Sequence, residues 1–436
     1  MTACPALLVS APSSGSGKTS ITAAIARWHA RQGLKVRVFK TGPDYLDPMI
    51  LERASGATVY QLDLFMGGLA HCRALLAQAG READLILVEG VMGLFDGAPS
   101  SADLAAAFGL PVLAVIDASA MAQTFAALAT GLQRFRTDVR VTGVVANRVG
   151  SEAHGRMVAE GLPADLPLLA ALPRDAALSL PERHLGLVQA GELPDLDARL
   201  DAWADAWGAA RRPFDIAPVA FEDEAEPALP RLLDGRRIAF AQDAAFSFVY
   251  PANLDCLQAM GATVLPFAPV HGEPMPDCDA LWLPGGYPEL HAPALRGLFP
   301  ALTAHLQAGK PLLAECGGML VLLDELTDAD GHTHAMAGLM PGSARVGKRL
   351  AALGLQAVAW PECEPGHELR GHSFHYSTLD TPLTPITHAS NPNAGRTAEA
   401  LYARGSLRAS YVHHYFPSNP AAIAAFFSHA DRTTPG

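Results

Sequence analysis

The chain has 436 residues, half of them hydrophobic, and this length exceeds what one hydrophobic core usually organises, so we expect two domains. The net charge of −12 argues against a nucleic-acid partner, and the chain contains no apolar run long enough to span a membrane. The N-terminus lacks the basic and apolar regions of a signal peptide. Six cysteines without a C-x-x-C pair argue against a zinc ribbon or iron–sulfur site and favour a reducing, cytoplasmic location.

The first informative segment is an apolar strand at residues 6–10, followed by a glycine-rich loop and a helical pattern. This order is the context that a phosphate-binding loop requires. Backbone N–H groups and the helix N-terminus hold phosphate oxygens, while Lys18 reaches the β- and γ-phosphates and Thr19 ligates Mg²⁺. Pro12 stands where the usual pattern begins with glycine. The predicted ATP-binding residues of this loop are Ser14, Gly15, Ser16, Gly17, Lys18 and Thr19.

Four more short strands rich in Val, Ile or Leu follow, separated by alanine-rich helical stretches. These predicted strands cover residues 35–40, 85–89, 112–117 and 141–147. Such alternation predicts a doubly wound α/β domain over residues 1–210, with ligands bound at the carboxyl ends of the strands.

Polar side chains stand at those strand ends. Asp44 and Asp47 follow the second strand, and Glu89 ends the third. Mg²⁺ bound to nucleotide phosphates needs hard oxygen ligands, so we predict a metal site made of Thr19, Asp47 and Glu89. Asn147 ends the fifth strand, where its amide can bind a nucleobase edge. A helix cap or a turn is the alternative role for each of these residues.

From residue 211 the composition changes. An acidic segment flanked by proline, residues 221–227, predicts a solvated linker over residues 211–234. A second α/β pattern then predicts another domain over residues 235–436. Its predicted strands cover residues 237–241, 263–267, 280–283 and 311–314.

Cys316 lies between an apolar strand and an apolar helix, and two glycines follow it. A helix N-terminus is expected to lower the pKa of its thiol, which indicates a nucleophile rather than a small buried apolar residue. A cysteine nucleophile needs a histidine base brought near by folding, and His413 and His414 are the candidates. Backbone amides of Gly285 and Gly286, in a loop after a strand, are the predicted oxyanion donors.

Five segments, in this order, resemble the cobyrinate/hydrogenobyrinate a,c-diamide synthase family of vitamin B12 biosynthesis. The resemblance covers nearly the whole chain. It implies a dethiobiotin-synthetase-like P-loop domain, followed by a class I glutamine amidotransferase domain with a flavodoxin-like fold. The segments that carry the resemblance are residues 42–48, 180–187, 246–254, 283–289 and 371–377.

The resemblance also implies a mechanism. Cys316 attacks the side-chain amide of glutamine, His413 moves the proton, and ammonia is released. ATP then phosphorylates an acetate carboxylate of the corrinoid, and ammonia displaces the phosphate, at the a and c positions in turn. Asp44, Tyr45 and Asp96 are predicted to orient the substrate carboxylate. The implied small molecules are ATP, Mg²⁺, glutamine and a corrinoid polycarboxylate, and a homodimer is left open.

The sequence leaves several alternative families and site residues open. The motifs favour this family over cobyric acid synthase but separate it poorly from nickel-sirohydrochlorin a,c-diamide synthase. A regulatory P-loop ATPase is less favoured because Ser13 stands where such proteins carry a signature lysine. Class I amidotransferases usually place an acid two residues after the catalytic histidine, where this chain has Tyr415. His372 and His375 have H-x-x-H spacing, but the sequence offers no clear third zinc ligand.

Overall fold

The computed structural model describes residues 2–174, 189–222, 228–393 and 398–428, together with the backbone of residues 182–183 and 186–187. The chain divides into two compact units, Met1–Glu226 and Pro227–Gly436. Among the helices in the described ranges, none combines the length and the hydrophobicity of a transmembrane segment.

Unit 1 is built on a parallel sheet in the order β3-β2-β4-β1-β5-β6-β7, and β10 pairs antiparallel with the start of β1. A separate antiparallel pair joins β8 to β9. The strands are β1 (Thr2–Ser10), β2 (Val36–Thr41), β3 (Tyr60–Leu62), β4 (Leu85–Glu89), β5 (Val112–Asp117), β6 (Val141–Val149), β7 (Leu168–Pro173), β8 (Glu182–Arg183), β9 (Gly186–Leu187) and β10 (Pro218–Phe221).

Helices cover both faces of this sheet. Consecutive residues of a strand point to opposite faces, and Leu7 and Leu8 accordingly belong to two different apolar layers. The predicted doubly wound α/β architecture is therefore confirmed for unit 1. The helices are α1 (Lys18–Ala30), α2 (Leu46–Ser55), α3 (Gly68–Glu82), α4 (Ser101–Phe108), α5 (Thr124–Arg134), α6 (Glu152–Glu160) and α7 (Leu196–Ala210).

Part of the predicted linker belongs to unit 1. Residues 218–221 form β10, and the alternating residues Val219 and Phe221 bury their side chains in an apolar layer of this unit. Burial of these two side chains explains why this stretch pairs with β1 instead of staying solvated.

Unit 2 contains a second sheet in the order β12-β11-β13-β14-β23-β22-β21, in which the first five strands are parallel. Two smaller sheets, β16-β15-β17-β20 and β18-β19-β24, accompany it. The strands are β11 (Arg237–Ala241), β12 (Thr263–Phe267), β13 (Ala280–Leu283), β14 (Leu312–Glu315), β15 (Glu325–Thr327), β16 (Thr333–Ala335), β17 (Ser343–Val346), β18 (Ala352–Val358), β19 (Leu369–His375), β20 (Ser377–Asp380), β21 (Thr387–His388), β22 (Ala400–Arg404), β23 (Leu407–Ser410) and β24 (His413–His414).

No α-helix described in unit 2 is longer than nine residues. One of these helices, α11, begins directly after the carboxyl end of β14, so Cys316 occupies the turn between the two elements. This strand–turn–helix order agrees with the predicted fold class. The helices are α8 (Pro251–Ala259), α9 (Ala292–Leu295), α10 (Phe299–Gln307), α11 (Gly317–Val321) and α12 (Pro420–Ser428).

Candidate active sites

In unit 1 the glycine-rich loop lies between β1 and α1, at the wall of a cavity of about 690 Å³. This volume is ordinary for a small-molecule site. Lys18 Nζ donates to the carbonyl oxygens of Ser13, at 3.2 Å, and Met92, at 2.7 Å, which holds the ammonium group against the loop. Predicted site residues that line the cavity are Ser14, Gly15, Gly17, Lys18, Thr19, Asp44, Asp47 and Asn147.

A buried lysine that the sequence analysis missed stands at the centre of the predicted metal site. Lys40 Nζ lies 2.6 Å from Asp47 Oδ2, 2.6 Å from Glu89 Oε1 and 3.6 Å from Asp44 Oδ2. Thr19 Oγ1 donates to the same oxygen of Glu89 at 3.0 Å. The sheet order explains this cluster, because β2 pairs directly with β4 and places Lys40 opposite Glu89.

Burial and neighbouring charges together shift the pKa values of the lysine and the carboxyl groups in this cluster. Burial lowers the pKa of Lys40, but Asp47 and Glu89 hold that pKa well above its usual value. Burial raises the pKa of Asp47, but Lys40 outweighs burial and lowers it to about 2. Burial raises the pKa of Glu89 to about 7. Burial and the negative charge of Asp47 together raise the pKa of Asp44 to about 7. Burial thus makes the charged forms of Asp44 and Glu89 less favourable than those of exposed carboxyls.

The residues at this position fit a magnesium ion. Glu89 Oε2 is buried and has no hydrogen-bond partner among the residues that the structure describes. Thr19 supplies a hydroxyl oxygen and Asp47 a carboxylate beside it. Hydroxyl and carboxylate oxygens are the hard donors that Mg²⁺ prefers, and a cation would compensate the uncovered oxygen of Glu89.

The remaining predicted residues of unit 1 have structural partners. Asp44 Oδ1 accepts from the backbone N–H groups of Leu46 and Asp47 and so caps the start of α2. Asp96 Oδ2 accepts from the N–H of Gly93 at 3.1 Å, within a turn. Tyr45 is buried beside α2.

Two further polar residues support the loop itself. Ser16 Oγ donates to the carbonyl of Ser13 at 3.1 Å. Asn147 Nδ2 donates to the carbonyl of Ser16 at 2.9 Å, and Asn147 Oδ1 accepts from the N–H of Arg148. Asn147 thus ties the end of β6 to the glycine-rich loop while it also faces the cavity.

In unit 2, Cys316 has φ of +47°, a backbone conformation that non-glycine residues rarely adopt. Its N–H donates to the carbonyl of Ser410 at 2.8 Å, which fixes the turn to the end of β23. A strained turn between a strand and a helix is a feature that recurs at nucleophiles.

Close backbone approach explains the glycines around Cys316. A Cβ at Gly317 would lie 2.8 Å from Gly286 O and 2.9 Å from Gly286 N, closer than real Cβ atoms come. The Gly285–Gly286 loop therefore packs directly on the start of α11. A Cβ at Gly285 would overlap the imidazole of His413, so the same loop also contacts the predicted base. Gly286 N, beside Gly317, is the better placed of the two predicted oxyanion donors.

His413 is held at this position by stacked rings. β24 pairs with β19, which sets His413 opposite His372, and the two rings stack with centroids 5.0 Å apart. Tyr250 Oη lies 2.8 Å from His372 Nδ1, and Tyr415 packs edge-on against Tyr250. Tyr415, two residues after His413, thus packs on the tyrosine that contacts His372.

His414 belongs to a separate buried network. His414 Nδ1 lies 2.7 Å from Glu315 Oε1, which also accepts the backbone N–H of His414 at 2.9 Å. Trp360 donates to His414 Nε2 at 3.2 Å, and Trp282 donates to Glu315 Oε2 at 3.0 Å. With Nε2 as acceptor, Nδ1 carries the proton toward Glu315. Both ring nitrogens of His414 are therefore occupied, which favours His413 as the base.

The expected low pKa of the Cys316 thiol is wrong for this structure. Burial raises the pKa of that thiol well above its usual value and outweighs the backbone N–H at the start of α11. Burial likewise lowers the pKa of His413 well below its usual value, and that of His372 to about 3. The pair therefore rests as a neutral thiol and a neutral imidazole that can accept a proton.

Alkylation of Cys316 by iodoacetamide is expected to accelerate by about tenfold per pH unit between about pH 7 and pH 9, because the thiolate fraction grows tenfold per unit below the pKa. Mass spectrometry of the peptide that carries Cys316, after timed exposure of the intact protein, gives the rate. A rate that levels off below about pH 8 would instead indicate a stable thiolate.

The two histidines with H-x-x-H spacing have separate partners. His375 Nδ1 lies 2.8 Å from the carbonyl oxygen of Ser377 and His375 Nε2 lies 3.1 Å from Glu399 Oε1, whereas His372 contacts Tyr250. Within the described ranges, no three His, Cys, Asp or Glu side chains form a metal-binding group. Of the five segments that carry the resemblance, the segment 180–187 lies partly outside the described residues, because only the backbone of residues 182–183 and 186–187 is described.

Comparison with known proteins matches both units. Residues 7–188 match the CobQ/CobB/MinD/ParA nucleotide binding domain, and residues 237–421 match the CobB/CobQ-like glutamine amidotransferase domain. The chain is 57% identical over 430 residues to a hydrogenobyrinate a,c-diamide synthase of Pseudomonas aeruginosa, with 98% of each chain covered.

Two other relatives are similar to this chain over nearly its whole length. Identity is 58% to a hydrogenobyrinate a,c-diamide synthase of Stutzerimonas stutzeri, with 97% of this chain and 98% of the relative covered. Identity is 51% to a cobyrinate a,c-diamide synthase of Herminiimonas arsenicoxydans, with 97% of this chain and 96% of the relative covered. The family resemblance read from the sequence is thereby confirmed, and this chain belongs to the hydrogenobyrinate/cobyrinate a,c-diamide synthase family.

Proposed function

We propose that this protein is an ATP-dependent ligase that uses glutamine to amidate the a and c acetate carboxylates of hydrogenobyrinate or cobyrinate. The observation that carries this proposal is identity of 51–58% to relatives named for this reaction, over 97–98% of the chain. The two candidate sites supply the two chemical functions that such a reaction needs, a glutaminase and an ATP-dependent carboxylate activator.

We propose that unit 2 releases ammonia through a thioester. Cys316 Sγ attacks the side-chain carbonyl of glutamine, and His413 takes the thiol proton and gives it to the departing ammonia. The N–H of Gly286 donates to the oxyanion. Water then attacks the thioester, with His413 as the base, and glutamate leaves with the thiol restored.

We propose that unit 1 makes the corrinoid carboxylate replaceable. A carboxylate oxygen attacks the γ-phosphorus of ATP and ADP leaves, which gives an acyl phosphate. Ammonia then attacks the acyl carbon, and inorganic phosphate departs. Lys18 and the loop amides neutralise charge on the transferred phosphoryl group. Lys40, a cation beside Asp44 and Asp47, is suited to hold the substrate carboxylate near that group.

Thr19, Asp47 and Glu89 are the residues that would hold Mg²⁺ in this site, on the geometry described above. When bound, the ion supplies positive charge to the β- and γ-phosphate oxygens. Asp44, Tyr45 and Asp96 stay predictions as substrate-orienting residues. We also retain a cytoplasmic location and a homodimer as predictions.

The proposed function is tested by product analysis. Purified protein is incubated with ATP, Mg²⁺ and glutamine, and with hydrogenobyrinate, cobyrinate or nickel-sirohydrochlorin in separate reactions. Mass spectrometry is expected to find two carboxyl groups converted to amides on one of the two corrinoids. Conversion of nickel-sirohydrochlorin alone would contradict the proposed substrate class.

Substitution of His413 is expected to affect mainly activity, whereas substitution of His414 is expected to affect mainly stability. His413→Ala should lower glutamine hydrolysis by about 10³-fold or more, because the proton acceptor is lost, with a smaller loss of thermal stability than His414→Ala. His414→Ala removes the partner of buried Glu315 and should destabilise the protein by about 3 kcal/mol while sparing more of the activity of the folded fraction.

Ammonia release and thermal unfolding, measured on both variants, provide this comparison. His388→Ala, at an exposed histidine of the same unit, is the matched control and should change neither quantity. A larger loss of activity per folded molecule in His414→Ala than in His413→Ala would transfer the role of base to His414.

A further inference from the structure

Glu289 is a buried carboxylate without an evident partner. It lies in the short helix Pro288–Leu290 after the Gly285–Gly286 loop, and 8% of its surface is exposed. Among the described residues, the carboxylate of Glu289 has no ion pair and no hydrogen bond beyond its own backbone N–H. Burial of an unpaired carboxylate is costly, and burial raises the pKa of Glu289 to about 7.

The position of Glu289 places it beside the nucleophile. A Cβ at Gly317, the residue after Cys316, would lie 2.9 Å from Pro288 Cδ, so the segment that carries Glu289 packs on the start of α11. The charge of Glu289 is also among the influences that raise the pKa of Cys316. Glu289 therefore lies near the turn that carries Cys316, where the proposed reaction requires glutamine to bind.

Two other carboxylates near Cys316 already have partners. Glu399 Oε1 lies 3.1 Å from His375 Nε2, and the ring of His375 stacks on Tyr411 at 3.6 Å. Glu315 is occupied by His414 and Trp282, as described above. Of these three carboxylates, Glu289 alone has its charge uncompensated.

We propose that Glu289 binds the α-ammonium group of the substrate glutamine and so selects amino acids over simple amides. This assignment rests on the proposed glutaminase reaction of unit 2. The substrate must bring one positive charge into the site, and a buried carboxylate is the group that recognises an ammonium by charge and by hydrogen bonding. Ion pairing with the ligand also offsets the cost of burying Glu289.

The test compares glutamine with glutaramate, the same molecule without its α-amino group, as substrates for ammonia release by the full chain. Wild-type protein is expected to prefer glutamine by about 100-fold in kcat/KM, the range for a buried charged hydrogen bond. Glu289→Gln should lower this preference to less than about tenfold, mainly through a higher KM for glutamine, with glutaramate hydrolysis nearly unchanged. Glu289→Asp, which keeps the charge, should restore part of the preference.

Glu399→Gln is the matched control and should keep the preference for glutamine. The assignment is overturned if Glu289→Gln keeps the preference, if Glu399→Gln loses it instead, or if Glu289→Gln hydrolyses neither amide, which would give Glu289 a structural role. Wild-type protein that releases no ammonia from glutamine would overturn the proposed function itself.

Discussion

Cys316→Ala is expected to lower glutamine-dependent amidation by at least about 10⁴-fold, because no other group can form the thioester that releases ammonia. Amidation with added ammonium salt should continue at the wild-type rate. In the proposed mechanism, activation of the carboxylate uses the loop and the acidic cluster of unit 1, and none of those residues belongs to unit 2. The substitution thus separates the source of nitrogen from its use.

This prediction is measured by amide formation on the corrinoid with glutamine and with ammonium chloride in parallel. Cys363→Ala is the matched control, since Cys363 is a partly exposed thiol of the same unit and should be dispensable for both reactions. Loss of both activities in Cys316→Ala, in protein that is still folded, would argue against two separate sites.

Lys18→Ala is expected to lower the rate of amidation by about 10³-fold or more, with glutamine and with ammonia alike. The ammonium group of Lys18 is held at the loop by the carbonyls of Ser13 and Met92, where it faces the cavity that would receive the phosphates. Its removal leaves the charge on the transferred phosphoryl group without its main protein counter-charge.

Glutamine hydrolysis by unit 2 provides an internal check that the Lys18→Ala protein is folded. Lys35→Ala, at an exposed lysine of unit 1, is the matched control and should keep full amidation activity. Retention of ammonia-dependent amidation by Lys18→Ala would remove the basis for the phosphate-loop assignment.

Local sequence order was sufficient to predict the parts of the sites that are contiguous in the chain. The strand, loop and helix around Lys18 and the strand, cysteine and glycines around Cys316 each form from neighbouring residues. The central parallel strands were also predictable, because they are buried on both faces and rich in Val, Ile and Leu. The shorter strands β3 and β10 lack that signal.

Lys40 could not be placed because one of its partners, Glu89, comes from elsewhere in the chain. Glu89 is 49 residues away and meets Lys40 only because β2 lies beside β4 in the sheet. A lysine at the end of an apolar strand is an available signal, since an unpaired lysine is rarely fully buried. That signal indicates a buried counter-charge without saying which acid supplies it.

The choice between His413 and His414 depends on tertiary structure in the same way. The two residues are adjacent in β24, so their side chains point to opposite faces. One face meets Gly285, and the other meets Glu315. The error in the pKa of the Cys316 thiol has a related cause, because a sequence reveals where a helix begins but not how deeply the preceding residue is buried.

Transfer of oxygen from the substrate to phosphate tests the central claim most directly, namely that unit 1 activates a carboxylate with ATP for attack by ammonia. Corrinoid labelled with ¹⁸O in its carboxyl groups is converted in the presence of ATP, Mg²⁺ and glutamine, and the released inorganic phosphate is analysed by mass spectrometry. The account predicts one ¹⁸O atom in phosphate for each amide formed. Amide formation with unlabelled phosphate would contradict it.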